Sequence, residues 1–145
     1  MKGLIISELN QIFNPKGDIL HALKKSDSSF NNFGEAYFSF VKYNQIKGWK
    51  KHTKMTMNLM VPVGEIKFVL YDDRDKKSDP NIKEVTIGQS NYKRLTIPPN
   101  IYVSFKGISK NINLILNIAD MEHDPNESIN IDLSDIAYEW KTTDL

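Results

Sequence analysis

The sequence predicts an all-β domain, a sandwich or small barrel. Short β-rich runs recur between turn signals every 8–12 residues. Helical periodicity is almost absent. The segment from Ile46 to Arg74 sets two apolar runs about a Pro62-Val63-Gly64 hinge, the pattern of strand, tight turn and strand.

Near the N-terminus, Leu4-Ile5-Ile6 followed by Leu9, Ile12 and Phe13 reads as an edge strand or a short helical turn. Asn14-Pro15-Lys16-Gly17-Asp18 is a turn by its residues, and residues 19–23 read as a short strand before a polar loop over 24–32. From Ala36 the chain alternates with period two, Phe38 and Phe40 against Tyr37 and Ser39. Residues 44–48 read as a turn. Residues 57–61 and 66–71 are near-continuous apolar runs, as expected of strands covered on both faces. Residues 72–81 form a charged surface turn. Further strands are expected over 82–87, 92–97, 101–105 and 113–119; Pro98-Pro99-Asn100 is a fixed corner, because paired prolines cannot sit inside a central strand. Residues 121–128 are polar and turn-like, and the tail over 129–140 alternates briefly. Eight or nine short strands result, in one domain over residues 1–145 with no internal repeat.

Composition narrows the function classes. The 145 residues carry a formal net charge of +1 with both signs interspersed, so no electrostatic footprint for nucleic acid or an anionic membrane is present. There is no cysteine, which removes disulfides, thiolate catalysis and cysteine-ligated zinc. No apolar run approaches the ~20 residues a bilayer span requires, and the N-terminus lacks the pattern of a secretion signal. The expected setting is cytoplasmic.

Several features occur in a characteristic order: Gly17-Asp18, Tyr37-Phe38-Ser39, Lys47-Gly48, His52, Val63-Gly64-Glu65, Asp72-Asp73-Arg74, Ile97-Pro98-Pro99, and a closing stretch from Ile131-Asp132 to Trp140. This ordered set resembles the dTDP-4-dehydrorhamnose 3,5-epimerase family of cupin-like, double-stranded β-helix (jelly-roll) proteins, particularly its shorter sugar-epimerase-like members. The chain departs from the family pattern in four places, one of them near Leu20-His21, where the family has an early Arg-Gly pair. His52 lies three residues beyond Gly48 where the family histidine lies closer. Val103 stands near the place of a second family histidine, and His123 stands where the family has a tyrosine before a proline.

The resemblance implies epimerisation beside a ketone, which needs a base for the α-proton, a group to hold the enolate oxygen, and an acid on the opposite face. On the residues alone, His52 reads as an exposed member of the basic loop GWKKHTK; the resemblance makes it the base, with Asp132 as the carboxylate behind it. His123 becomes the replacement acid or, equally, a turn histidine capped by neighbouring acids. Lys50 is the enolate-holding candidate, and an extended chain over 48–54 would put Lys50, His52 and Lys54 on one face. Lys47, Trp49, Lys54, Asn58, Lys67, Tyr102 and Tyr138 are the substrate-binding candidates. Each has a plainer reading, the lysines as solvated surface and the aromatics as packing. The three histidines are far apart and no cupin-type ligand set is complete, so neither a metal nor another cofactor is expected.

The expected function is metal-independent epimerisation at C3, C5 or both of a nucleotide-linked 4-keto-deoxyhexose for surface polysaccharide synthesis, by a homodimer. A nucleotide-sugar 3,4-ketoisomerase and a non-catalytic sugar-nucleotide-binding cupin are the alternatives. The dimer contact is expected to involve the apolar residues 4–13.

Overall fold

The computed structural model describes residues 1–141. Among them there is no α-helix, only a 3-10 turn at Leu133–Asp135, so no helix is long and apolar enough to cross a membrane.

The strands are β1 (Ile5–Glu8), β2 (Gln11–Ile12), β3 (Ile19–Leu20), β4 (Glu35–Phe40), β5 (Ile46–His52), β6 (Met57–Val63), β7 (Glu65–Asp72), β8 (Asn81–Gly88), β9 (Lys93–Ile97), β10 (Tyr102–Gly107), β11 (Leu114–Ala119) and β12 (Ser128–Asn130). Eight of them form a jelly roll. One sheet runs β4-β11-β6-β9 with β1 added beside β9; the other runs β5-β10-β7-β8 with β12 added beside β5. The all-β, cupin-like expectation holds. The strand missing from the sequence reading is β5, whose residues IKGWKKH were read partly as a turn.

The core lies between the sheets, where Leu59, Val61, Ile66, Phe68, Leu70, Leu95, Ile97 and Ile115 are buried together. Residues 57–61 of β6 and 66–70 of β7 are buried throughout, because loops and tails cover the outer faces as well. The β6–β7 hinge depends on Gly64. Its φ is +79°, and a Cβ there would fall 2.1 Å from the Ile112 carbonyl oxygen. Arg74 grips Asp72 in a fork, Nε to Oδ1 at 2.8 Å and Nη2 to Oδ2 at 2.7 Å, and donates to the Lys2 carbonyl at 2.6 Å. That fork ties the N-terminus to the end of β7.

The N-terminal run is less free than its composition suggests. Met1, Leu4 and Ile6 pack on the chain's own core, and β1 pairs with β9. Ile12 and Phe13 remain exposed, Phe13 at 80 %.

Candidate active site

At one end of the roll the two sheets part around a cavity of about 450 Å³. Its walls follow the pleat: Tyr37 and Ser39 of β4, Met57 and Leu59 of β6, and Ile115 and Asn117 of β11 on one sheet; Lys47, Lys50, His52, Val103, Phe105 and Asn130 on the other. Successive residues of a strand point to opposite faces, so a wall is built from every second residue. β5 contains one exception, and it matters. Val103 pairs with Lys50 while Phe105 pairs with Lys47, so three steps on β5 oppose two on β10. This β-bulge at Gly48–Trp49 shifts the alternation and brings Lys47 to the same face as Lys50 and His52.

His52 is 3 % exposed and sits at the end of β5. Its carbonyl accepts from the Asn100 amide at 2.7 Å, so the Pro98-Pro99-Asn100 corner fixes the strand end. The imidazole Nδ1–H donates to Glu127 Oε1. The other carboxylate oxygen, Oε2, accepts from the amides of Thr53, Lys54 and Met55 at 3.2, 3.1 and 3.3 Å. Burial by itself would raise the Glu127 carboxyl. The bond from His52, the amides and the nearby imidazole charge outweigh it and hold the group below the ordinary carboxylate range. An ionised carboxylate only accepts hydrogen bonds, so the proton on Nδ1 leaves the neutral imidazole with its lone pair at Nε2. No hydrogen bond among the described residues engages Nε2, and His52 lines the cavity.

The sequence expectation of a carboxylate behind His52 is therefore met by a different residue. Asp132 is exposed at the start of the 3-10 turn, its amide donating to Asp135 Oδ2 at 2.8 Å. The chain from β12 leads it away along the outside of the sheet. Glu127 lies five residues earlier, where the β11–β12 loop folds back onto the end of β5, and Ser128 pairs directly with His52. Nothing in the run DPNES singles Glu127 out, because the amides it binds come from residues 53–55.

Lys47, Lys50 and His52 come together in the cavity, which has no carboxylate in its lining among the described residues. Lys47 Nζ donates to Ser39 Oγ at 2.9 Å, joining β5 to β4 across the gap between the sheets. Lys50 has no hydrogen bond or ion pair among the described residues. A cavity with this wall suits an anion or a carbonyl oxygen that gains negative charge.

The remaining sequence candidates lie elsewhere. Trp49, Lys67 and Tyr102 are on the opposite face of the second sheet, because their places in β5, β7 and β10 have the other pleat parity, and Tyr138 packs on that face from the C-terminal segment. There Trp49 packs against Tyr71 and Tyr138, with ring centroids 6.3 and 6.5 Å apart. Lys51 Nζ lies 4.2 Å from the centre of the Tyr102 ring. Lys67 pairs with Glu84 at 3.1 Å, and the Tyr138 hydroxyl donates to Glu84 at 2.6 Å. Asn58 faces outward from β6 and is occupied by the Ser29 carbonyl and the Thr96 hydroxyl. Lys54 lies past the end of β5 with its side chain exposed. His123 is exposed in the β11–β12 loop and does not line the cavity.

The residues that sequence reasoning missed are Tyr37, Ser39, Asn117, Asn130 and Glu127. The period-two pattern in β4 was visible, but it is inverted relative to the usual rule. Phe38 and Phe40 point out, 65 % and 67 % exposed, while Tyr37 and Ser39 line the cavity. Among the described residues no group of three or more His, Cys, Asp or Glu is disposed to hold a metal ion.

No family model matches the chain. A solved dTDP sugar isomerase from Desulfovibrio desulfuricans is 38 % identical and superposes with a TM-score of 0.90, over 96 % of this chain and 91 % of that one. A protein of Haloferax volcanii named a probable low-salt glycan biosynthesis epimerase is 28 % identical over 72 % of this chain and 71 % of its own length. The solved dTDP-4-dehydrorhamnose 3,5-epimerase of Sulfolobus tokodaii shares the fold, with a TM-score of 0.82 at 20 % identity over 99 % of this chain and 84 % of that one.

Proposed function

The chain belongs to the dTDP-4-dehydrorhamnose 3,5-epimerase-like family of sugar isomerases, and from that premise we propose that it epimerises a nucleotide-linked 4-keto-deoxyhexose for polysaccharide synthesis. The observation that carries the reading is the buried His52–Glu127 pair, aimed into a cavity that also holds Lys47 and Lys50. His52 Nε2 takes the proton from the carbon next to the carbonyl. The electron pair of that bond moves into an enolate, whose oxygen Lys50 holds, with Lys47 beside it. Glu127 steadies the imidazolium while the proton resides there, as a general base requires. Return of a proton to the opposite face inverts the carbon. The reaction is metal-independent on this reading, because the base, the oxyanion cation and the orienting carboxylate are all side chains. The enzyme works in the cytoplasm as a homodimer.

Incubation with dTDP-4-keto-6-deoxyglucose followed by NMR of the sugar ring tests this. The expected product keeps its carbonyl at C4 and is inverted at C3, C5 or both. A carbonyl moved to C3 would instead assign a 3,4-ketoisomerase, which shares the enolate but delivers the proton elsewhere. An unaltered sugar with no solvent exchange would leave a binding protein and sink the enzymatic reading.

A further inference from the structure

Inversion needs a proton donor facing His52 from the other wall, and the histidine that the sequence offered for this role, His123, lies outside the cavity. We propose that Tyr37 is that donor and that Asn117 is its positioning residue; the proposal rests on the function argued above.

Tyr37 and Asn117 are direct partners across β4 and β11, both on the cavity face. They stand on the sheet opposite β5, and the Lys47–Ser39 bond holds those two walls facing each other one pleat away. Asn117 is 1 % exposed, and its amide nitrogen donates to the Tyr37 hydroxyl oxygen at 2.9 Å. Its carbonyl oxygen is buried with no partner among the described residues. A buried amide that leaves its oxygen unsatisfied is unfavourable for folding alone, and here its one side-chain bond is directed at a tyrosine in the cavity. The direction of that bond is informative. The tyrosine oxygen accepts, so its own O–H proton is not engaged with Asn117 and can be given to a ligand. After donation the oxygen is a phenolate, and the Asn117 N–H bond becomes charge-assisted and stronger.

The step balances without a co-reactant. His52 removes the α-proton from one face, and the C–H electron pair becomes the enolate double bond. That double bond takes the Tyr37 proton on the other face and the carbonyl re-forms. Imidazolium and phenolate remain, and a proton passes between them through solvent before the next turnover.

The test uses the full-length protein with dTDP-4-keto-6-deoxyglucose in heavy water, following deuterium incorporation and stereochemistry separately by NMR. Tyr37→Phe is expected to keep proton exchange at the α-carbon within about tenfold of wild type, because His52 still deprotonates. Inversion should fall by ~10²-fold or more. Asn117→Leu is expected to reduce inversion more than exchange, in the same sense but less. Inversion by Tyr37→Phe at the wild-type rate overturns the proposal, as does equal loss of exchange and inversion in a variant that melts like wild type. A wild-type protein that exchanges no proton overturns the function reading and the Tyr37 role together, an outcome distinct from the other two.

Discussion

His52 and Glu127 form an ionisable pair with side chains 4 % and 2 % exposed. Burying such a pair contributes little stability once desolvation is counted, yet breaking it by removing one partner is strongly unfavourable. Glu127→Gln keeps the shape but removes the charge that orients and stabilises the imidazolium. It should lower turnover by at least about tenfold and destabilise the fold by on the order of 2–3 kcal/mol. Asp132→Asn, on an exposed turn, should leave both nearly unchanged. Steady-state kinetics and urea melts of the two variants separate these outcomes, and the reverse pattern would restore Asp132 as the partner. The pH dependence follows in sign. The Glu127 carboxyl is held below its ordinary value in the fold, so its stabilisation is complete above the unfolded value of about 4.3. It is lost as pH falls through the lower folded value. Urea midpoints of wild type should therefore drop more steeply below about pH 4.3 than those of Glu127→Gln; parallel slopes would contradict this. At this scale the sequence named His52, Lys47 and Lys50, which share one cavity, but not the carboxylate that pairs with His52. A histidine in a basic segment is conspicuous, whereas Glu127 acquires its role only through contacts more than seventy residues away in the chain.

Among the elements, β5 was the hardest to read and positions the most chemistry. Its residues do not alternate apolar and polar, because one face lines a cationic cavity and the bulge breaks the period. Trp49, Tyr102 and Lys67 lie on the other face of the same sheet for a different reason, their ordinary pleat parity. Without register, nothing distinguishes the inner face of a strand from an outer face covered by the C-terminal segment. The apolar strands were easier. β6 and β7 are buried on both sides, and continuous apolar runs announce that directly. Their hinge was legible as well, and it makes a testable demand. Gly64→Ala would force a side chain into a left-handed conformation and against the Ile112 carbonyl. A loss of roughly 2 kcal/mol or more is expected, read as a lowered urea midpoint. Unchanged stability would mean that the β6–β7 turn can adopt another geometry.

For the molecule as a whole, spaced turns and short strands were enough to give the all-β class, and the ordered motifs led to the jelly roll that two five-stranded sheets build. Leu4 and Ile6 are engaged in the chain's own core, so the proposed dimer contact narrows to Ile5, Ile12 and Phe13, which the fold leaves exposed. Sedimentation at micromolar concentration should give a dimer that Phe13→Ser weakens; a monomer in both cases would dismiss that contact. The central claim is that this roll places a histidine base beside a keto-sugar, and solvent deuterium tests it most directly. With dTDP-4-keto-6-deoxyglucose in heavy water, wild type should incorporate deuterium at a ring carbon flanking the carbonyl. His52→Asn should lose that incorporation by ~10²–10⁴-fold while still folding and binding the nucleotide sugar, although it melts below wild type because the buried Glu127 loses its partner. Deuterium entering at the wild-type rate in the His52→Asn protein would show that another group removes the proton.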